Sequence, residues 1–177
     1  MIKTRGIITL ATLMLCCTVP TKAQEKVQDD GKYTVGLLKV GDEAPDFVIE
    51  NGDTLAGMHL KDFRGRYVVL DFWASWCGDC RREIPAVKAL HKRFASDGVV
   101  FIGVSVDQKK EAWMKCVRDN GMEWVHHSEL KPWKATGISA DYNIKWIPTM
   151  YVVDPKGRIA LATIKTEEVE KYLSSVF

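Results

Sequence analysis

The segment from Tyr67 to Pro85 constrains the fold of this chain more than any other stretch. It opens with Tyr67-Val68-Val69-Leu70, a β-branched and aromatic run typical of a strand that is covered on both faces. Asp71 interrupts this run. An ionised carboxylate in a buried strand is costly unless it is paired or its pKa rises, so we expect Asp71 to be retained for chemistry rather than for packing.

Two cysteines, Cys77 and Cys80, follow this strand at the predicted start of a helix. A helix N-terminus directs unsatisfied backbone N–H groups and the positive end of the helix dipole towards the first sulfur, which favours its thiolate form. The two-residue spacing lets the second sulfur reach the first within one turn, so the pair can close to a disulfide and open again. We predict that Cys77 attacks a disulfide in a partner and that Cys80 then resolves the mixed disulfide.

The residues around this pair resemble a known family. The block from Asp71 to Pro85, which contains FWASWCGDC, looks like the active-site signature of thioredoxins and is similar to that of thiol-disulfide oxidoreductases of the TlpA/ResA type. The resemblance covers residues 38–177. It implies a thioredoxin-like α/β fold: a central mixed β-sheet flanked by helices, with an N-terminal β-hairpin extension and an insert between the βαβ unit and the strand that follows a cis-proline.

The resemblance also implies roles for two acids. Asp71 aligns with the buried acid of thioredoxins, which is expected to lie behind the second cysteine and to accept or return its proton. Glu83 aligns with the acid three residues after the second cysteine in the TlpA/ResA type. The alternatives are that Asp71 is hydrogen-bonded to the backbone, and that Glu83 is simply favourable in the first turn of a helix.

A substrate groove is implied by Ile147-Pro148, where thioredoxin-fold proteins place a cis-proline that faces the disulfide. A cis bond there would leave the backbone of Ile147 free to pair with an extended segment of a client protein. Trp76 is expected to flank this groove, beside Gly78 and Asp79 between the cysteines.

Asp79 departs from the thioredoxin pattern, in which proline is most frequent at that position. A negative charge between the cysteines should oppose the Cys77 thiolate, while it favours the helix N-terminus. The first effect makes the dithiol less stable, so the sequence predicts a more reducing pair than a proline variant would have.

The cysteines have two alternative uses, a metal site and a permanent disulfide. A tetrahedral zinc site would need Cys116 and either His126 or His127 as further ligands, at a spacing that matches no common pattern, and we expect neither a metal nor a cofactor. A permanent structural disulfide in so small a loop would constrain little of the unfolded chain. Cys116 itself is interpreted as a buried apolar residue. Four tryptophans are interpreted as core or surface residues rather than cofactor ligands: Trp113, Trp124, Trp133 and Trp146.

Two alternative functions stay open. The segment from Gly41 to Phe47 resembles the opening segment of peroxiredoxins and suggests a thiol peroxidase, but peroxiredoxins keep a threonine three residues before the reactive cysteine, where this chain has Ala74. A non-enzymatic binding module that uses the fold as a scaffold would tolerate loss of either cysteine.

The first 23 residues have the features of a secretory signal. A basic start precedes an apolar run from Gly6 to Val19, which Pro20 ends shortly before small residues at the positions that a signal peptidase reads. The run is too short to span a bilayer comfortably, so we predict cleavage after Ala23 and export, for instance to the periplasm. An uncleaved anchor and lipidation at Cys16 or Cys17 are the alternatives.

Removal of this signal changes the charge of the chain. The whole sequence has 25 basic and 23 acidic residues, and the signal contains Lys3, Arg5 and Lys22 but no acid. The mature chain therefore has 22 basic and 23 acidic residues. A nearly neutral chain gives no indication of nucleic acid or an anionic surface as a partner. The resemblance implies disulfide-containing client proteins, a membrane electron donor, and service in cytochrome c maturation or related thiol repair.

The mature chain divides into a polar tether, residues 24–37, and one thioredoxin-like domain, residues 38–177. A hairpin is predicted ahead of the core, with Phe47-Val48-Ile49 before the turn Asn51-Gly52-Asp53 and Thr54-Leu55 after it. Hydrophobic spacing and turn residues predict the other elements: a helix bent at Pro85 and ended by Asp97-Gly98, a strand Val99–Val106, a helix Lys109–Asn120 with Ala112 inward, a strand Glu123–His127, strands Thr149–Val153 and Arg158–Ile164, and a last helix capped by Thr166.

Overall fold

The strand predicted after Tyr67 lies at the centre of the molecule. The protein is represented by a computed structural model, which describes residues 31–50 and 57–177. Within these residues the strands are β1 Val68–Trp73, β2 Val100–Ser105, β3 Val125–Ser128, β4 Thr149–Val153 and β5 Ile159–Thr163. The helices are α1 Gly31–Thr34, α2 Gly78–Phe94, α3 Lys110–Asp119, α4 Gly137–Asp141 and α5 Thr166–Val176.

The five strands form one mixed sheet in the order β3-β2-β1-β4-β5. Strands β1, β2 and β3 are parallel, while β4 runs antiparallel to both β1 and β5. Helices α2 and α3 are the crossovers between the parallel strands, as a right-handed βαβ arrangement requires. The predicted thioredoxin-like fold, a mixed sheet flanked by helices, is confirmed.

Helices α2, α3 and α5 cover one face of the sheet, which we call the α2 face. His91 of α2 packs against Phe101 with ring centroids 5.3 Å apart, and Trp113 of α3 lies 6.5 Å from His126. On the opposite face, Tyr142 at the end of α4 packs against Phe72, with ring centroids 5.4 Å apart. Every residue of β1, β2 and β4 is buried, which explains why these strands are mostly apolar in the sequence.

Helix α2 runs without a break from Gly78 to Phe94 and includes Pro85. A short 3-10 turn, Ala95–Asp97, follows it, and Gly98 then takes the left-handed conformation that the predicted stop requires, with φ 86°. The strand predicted at Glu123–His127 is β3, which begins two residues later.

Two details of the helices differ from the prediction. Ala112 was expected to face inward, but it is exposed, and Trp113 and Val117 form the buried stripe of α3. Thr166 was expected to cap the last helix, but Lys165 holds the N-cap position and Thr166 is the first helical residue. The Thr166 hydroxyl group instead donates a hydrogen bond to Glu83 on α2.

The segments ahead of β1 pack on the domain. Val48 pairs with His59 in an antiparallel bridge, and the Ile49 N–H group donates to the Met58 carbonyl oxygen. These partners lie further along the chain than Thr54-Leu55 of the predicted hairpin. The predicted turn, Asn51-Gly52-Asp53, lies outside the described residues, as does the predicted signal, residues 1–23.

The predicted tether, residues 24–37, falls within the described part of the chain only from Gly31 onward. That part contains α1, and the Tyr33 ring lies 4.4 Å from the ring of Trp146. Leu37 belongs to the hydrophobic core. Residues 31–37 therefore contact the domain. Among the described residues, no helix has the length and apolar character needed to cross a membrane.

Candidate active site

Cys77 and Cys80 are joined by a disulfide at the start of α2. Cys77 is the N-cap residue of the helix, and its sulfur accepts a 3.1 Å hydrogen bond from the Cys80 backbone N–H group. Both side chains are largely buried, Cys77 at 8% exposure and Cys80 at 3%. The sulfur of Cys77 is therefore placed where backbone N–H groups and the helix dipole stabilise a negative charge.

Asp71 lies in the middle of β1 and is 7% exposed. Burial, with a smaller contribution from the negative charge of Glu83, raises the pKa of Asp71 to about 7. Its carboxyl group makes no hydrogen bond with another described residue. The alternative, an Asp71 that is hydrogen-bonded to the backbone, is therefore not what the structure has. A carboxyl group with a pKa near neutrality can both take and return a proton at physiological pH.

Glu83 is half-buried on the second turn of α2. Its carboxylate accepts a 2.7 Å hydrogen bond from the hydroxyl group of Thr166, the first residue of α5. The same hydroxyl oxygen lies 4.0 Å from the sulfur of Met150, which is paired with Asp71 across β1 and β4. Glu83 is thus held close enough to influence Asp71 through its charge, while its hydrogen bond goes to a different helix.

The peptide bond between Ile147 and Pro148 is cis. The carbonyl oxygen of Ile147 lies 3.8 Å from the sulfur of Cys77, so the segment with the cis bond packs beside the disulfide. A groove of about 280 Å³ opens beside that sulfur. It is lined by four of the residues predicted for substrate binding, Trp76, Gly78, Asp79 and Ile147, together with Cys77, Trp133 and Trp146.

Trp133 and Trp146 are site residues that the sequence interpretation missed. The Trp133 ring centroid lies 6.4 Å from that of Trp76, whose side chain is 58% exposed, and Trp146 completes the groove wall. Trp113 and Trp124, in contrast, are buried in the core. The sequence held one signal for Trp146, its position two residues before Pro148, and none for Trp133.

Asp79 forms an ion pair with Arg82 one turn further along α2. Both side chains are at least half exposed, so the pair itself contributes little stability. The sequence prediction for Asp79 considered its negative charge alone. In the structure the positive charge of Arg82 lies beside it and acts on the Cys77 thiolate in the opposite sense.

Asp107 is a third residue that the sequence interpretation missed. It is 2% exposed, and its carboxylate accepts hydrogen bonds from the Ser75 backbone N–H group at 2.8 Å, the Ser75 hydroxyl group at 2.6 Å and the Ser105 hydroxyl group at 2.8 Å. Ser75 is two residues before Cys77, so Asp107 ties the turn ahead of the disulfide to the end of β2. The sequence did contain a signal for Asp107, because it is an acid that closely follows an apolar strand.

Cys116 is the remaining cysteine in the described part of the chain, and its environment differs from the prediction. It is half-buried rather than buried, and Asn120 lies beside its sulfur. Burial, with the charge of Asp107 as a smaller cause, raises the pKa of the Cys116 thiol. A raised pKa leaves little thiolate at neutral pH, so Cys116 is a poor nucleophile.

The residues named for a zinc alternative are separated in the structure. His126 and His127 are neighbours on β3 and therefore project to opposite faces. His127 Nδ1 accepts a 2.9 Å hydrogen bond from the Glu50 N–H group, on the face away from Trp113 and His126. Among residues 31–50 and 57–177, no three side chains of the usual metal-ligating types lie together.

Comparison with known proteins agrees with this geometry. Residues 40–162 match the AhpC/TSA family. A thioredoxin-like protein of Bacillus subtilis, YneN, is 33% identical over 171 residues, which are 93% of this chain and 95% of the relative. The chain belongs to the AhpC/TSA family.

Further relatives are named by activity. Thiol-disulfide oxidoreductase ResA of Bacillus cereus is 28% identical over 144 residues, 78% of this chain and 79% of that protein. The thioredoxin domain of a thiol-disulfide oxidoreductase from Bacteroides vulgatus superposes with a TM-score of 0.67 at 29% identity, covering 76% of this chain and 98% of that one. A thiol:disulfide interchange protein from a Bacteroides species gives a TM-score of 0.69 at 27% identity, with 78% and 90% covered.

This member of the family is thus a thiol-disulfide oxidoreductase with a thioredoxin-like fold. The resemblance read from the block between Asp71 and Pro85 is confirmed at the level of the family, the fold and the class of reaction.

Proposed function

We propose that this protein reduces disulfides in exported client proteins through a dithiol–disulfide exchange at Cys77 and Cys80. The observation that carries the proposal is the position of Cys77. Its sulfur caps α2, accepts the Cys80 N–H group and borders the groove formed with Ile147. The first sulfur is therefore the one that a client can approach, and it is the one stabilised as a thiolate.

The exchange takes two steps. In the reduced protein, the Cys77 thiolate attacks one sulfur of the client disulfide, a bond forms between them, and the other client sulfur leaves as a thiolate. The Cys80 thiol then loses its proton to Asp71 and attacks the Cys77 sulfur. The Cys77–Cys80 bond forms, the bond from Cys77 to the client breaks, and the second client sulfur leaves as a thiolate. The client has gained two electrons and the protein is oxidised.

Asp71 is the proton acceptor in this scheme. A pKa of about 7 leaves a useful fraction of the carboxyl group ionised at neutral pH and still basic enough to take a proton. Glu83 contributes a negative charge that raises the pKa of Asp71, and the hydrogen bond from Thr166 keeps that charge in place. Glu83 thereby acts as a positioning residue for the resolving step.

The groove suggests which client segments bind. Three indole rings, those of Trp76, Trp133 and Trp146, surround the space next to the Cys77 sulfur. Aromatic rings bury large apolar side chains favourably, and the backbone of Ile147 can pair with an extended strand. We therefore expect clients whose reactive cysteine lies next to an aromatic or large aliphatic residue.

Cellular location and the electron donor are proposed from the sequence. Residues 1–23 have the pattern of a secretory signal, which places the domain in the periplasm or an equivalent exported compartment, free or held by its N-terminus. A reductase there needs a supply of electrons, so a membrane electron donor would reduce the Cys77–Cys80 disulfide after each turnover. Cytochrome c maturation and related thiol repair are the processes in which such a reductase would serve.

The test is to capture clients in the native envelope with Cys80→Ser, followed by mass spectrometry of the covalent complexes. With the resolving sulfur removed, mixed disulfides at Cys77 should accumulate and should disappear on reduction. Cys77→Ser and the double variant are the matched controls, and they should capture nothing. If Cys80→Ser captured no partner, or if Cys77→Ser kept turnover, the exchange mechanism would be wrong. Peroxide consumption without a peroxidase partner would favour the thiol peroxidase alternative.

A further inference from the structure

A second pocket lies next to the groove beside Cys77. It has a volume of about 460 Å³ and is formed by α4 and the segments on either side of it, so we call it the α4 pocket. Its lining includes Trp133, Lys134, Ala140 and residues 143–145. Pockets that bind ligands usually have volumes of about 300–1,000 Å³, so the α4 pocket is large enough to hold part of a client.

The α4 pocket and the groove beside Cys77 border on the same structures. Trp133 lines both of them. The chain after α4 also runs along both, because Lys145 lines the α4 pocket while the next two residues, Trp146 and Ile147, line the groove. Two residues of extended chain span at most about 7 Å. A client segment that lies along Ile147 therefore reaches the α4 pocket about two to four residues away from its reactive cysteine.

The rim of the α4 pocket is positively charged. Lys134 and Lys145 are both exposed, and neither forms an ion pair with a residue in the ranges 31–50 and 57–177. The nearby Lys131, in contrast, is paired with Glu129. No aspartate or glutamate of the described ranges lines the pocket. Two unpaired ammonium groups at one pocket favour a negatively charged ligand there.

The end of α4 gives the pocket a defined shape. Asn143 has a left-handed backbone, with φ 52°, and its N–H group donates to the Ala140 carbonyl oxygen at 3.1 Å. The Ile144 N–H group donates to the Ser139 carbonyl oxygen at 2.8 Å. These two bonds form a Schellman motif, in which asparagine can take the place of the more frequent glycine. The motif fixes the backbone from which the side chains of Asn143 and Lys145 extend.

We propose that the α4 pocket binds an acidic side chain of the client, about two to four residues away from the cysteine that Cys77 attacks. The ammonium groups of Lys134 and Lys145 bind its carboxylate. The Trp133 ring and the methylene groups of the lysines cover its aliphatic part. The inference rests on the proposed function and deepens it, because it names the class of client that the same site accepts.

The charges around the two spaces favour this order of residues in the client. Asp79 is the acid that lines the groove beside Cys77, where it is paired with Arg82. Because like charges repel, Asp79 disfavours an acid directly next to the client cysteine. The two lysines favour an acid further along the segment. The site therefore selects clients with an apolar residue next to the cysteine and an acid a few residues away.

The proposal is tested by reduction of three disulfide peptides that all have an aromatic residue next to the cysteine. One has glutamate three residues before the cysteine, one has glutamate three residues after it, and one has glutamine at both positions. One of the glutamate peptides should have a KM about fivefold lower than the glutamine peptide, with little change in kcat. High salt should remove this difference, since the lysines are exposed.

The outcomes separate this proposal from the proposed function. If both glutamate peptides had the same KM as the glutamine peptide, the α4 pocket would not bind the acid, while reduction of all three would still support exchange at Cys77. If none of the three were reduced, the exchange itself would be wrong.

Variants of the two lysines locate the effect. Lys134→Gln combined with Lys145→Gln should raise the KM of the preferred glutamate peptide to that of the glutamine peptide, whose own KM should not change. Lys171→Gln, at an exposed position on α5, is the matched control and should change neither value. Lys134→Glu combined with Lys145→Glu should shift the preference to a peptide with lysine in place of glutamate. A preference for glutamate that persisted in the double glutamine variant would overturn the proposal.

NMR of the mixed disulfide between Cys80→Ser and the preferred peptide identifies the occupant of the pocket. The signals of the Ala140 methyl group and the Asn143 side-chain amide should shift in this complex. They should not shift with a shorter peptide that ends before the glutamate. Unchanged signals with the longer peptide would mean that the client does not enter the α4 pocket. Shifts that depended on protein concentration alone would assign the pocket to a second copy of the chain, and the proposal would be wrong.

Discussion

The hydroxyl group of Thr166 donates a 2.7 Å hydrogen bond to the carboxylate of Glu83, and so joins the first turn of α5 to the second turn of α2. Thr166 is 4% exposed, so the bond is formed largely out of solvent. Hydrogen bonds to charged groups contribute about 1.5–3 kcal/mol to the free energy of unfolding. This contact fixes the helix that carries the disulfide against the C-terminal helix.

Thr166→Val should therefore lower the free energy of unfolding by about 2 kcal/mol, because the shape of the side chain is kept while the donor is lost. Denaturant titration at pH 7 measures this. Thr166→Ser retains the hydroxyl group and should lie within about 1 kcal/mol of the wild type. Equal losses in the two variants would mean that packing, not the hydrogen bond, stabilises the helix contact.

Glu83→Gln should lower the pKa of Asp71 below its value of about 7, since the negative charge that helps to raise it is removed while burial remains. The carboxyl carbon signal of Asp71 followed against pH by NMR measures the shift directly. Glu170→Gln, on the exposed side of α5, is a control that removes a carboxylate of the same type. An Asp71 pKa that stayed the same in Glu83→Gln would remove Glu83 from the proposed mechanism.

Asp71 should make the folded state less stable as the pH rises. Its folded pKa of about 7 lies above the ordinary value of 3.8, so the folded protein binds the proton more tightly than the unfolded chain does. The wild type should lose stability relative to Asp71→Asn between about pH 4 and pH 7, by on the order of 3 kcal/mol. Urea unfolding of both proteins across that range checks this. A difference independent of pH would mean that Asp71 does not titrate in this window.

His127 should have the opposite effect. Burial lowers the pKa of His127 to about 4, below its ordinary value of 6.5, so the unfolded chain binds the proton more tightly. Its contribution is fully present above pH 6.5 and is lost as the pH falls towards 4, by up to about 3 kcal/mol. His127→Gln, which keeps an acceptor for the Glu50 N–H group, should flatten this part of the stability curve in urea unfolding.

The fold could be predicted because its decisive information is local. Three strands of the sheet are mostly apolar runs, and the start of α2 carries both cysteines within four residues of each other. The acid at position 71 stands out for the same reason, since it interrupts an apolar strand. Such features are recognisable without knowledge of what packs against them.

The surroundings of the disulfide could not be predicted in the same way. Trp133 lies 56 positions after Cys77, and only the packing of the segment between β3 and β4 brings it to the groove. The contact between Thr166 and Glu83 depends on how two helices meet. The approach of the His126, Trp73 and Trp124 ring nitrogens to Gly103 depends on the register of three strands, which no single segment specifies.

Trp133 provides the sharpest test of how clients are recognised, because it faces Trp76 across the groove and yet is not a neighbour of the cysteines in sequence. Trp133→Ala should weaken binding of a disulfide peptide with an aromatic residue next to its cysteine by about 1–2 kcal/mol, seen as roughly a 5- to 30-fold increase in KM with little change in kcat. Reduction of a small neutral disulfide should be unaffected. Lys134→Ala, at the adjacent exposed position outside this groove, should leave both substrates unchanged. If Trp133→Ala slowed the small disulfide as much as the peptide, the residue would act on the reactive sulfur rather than on the client.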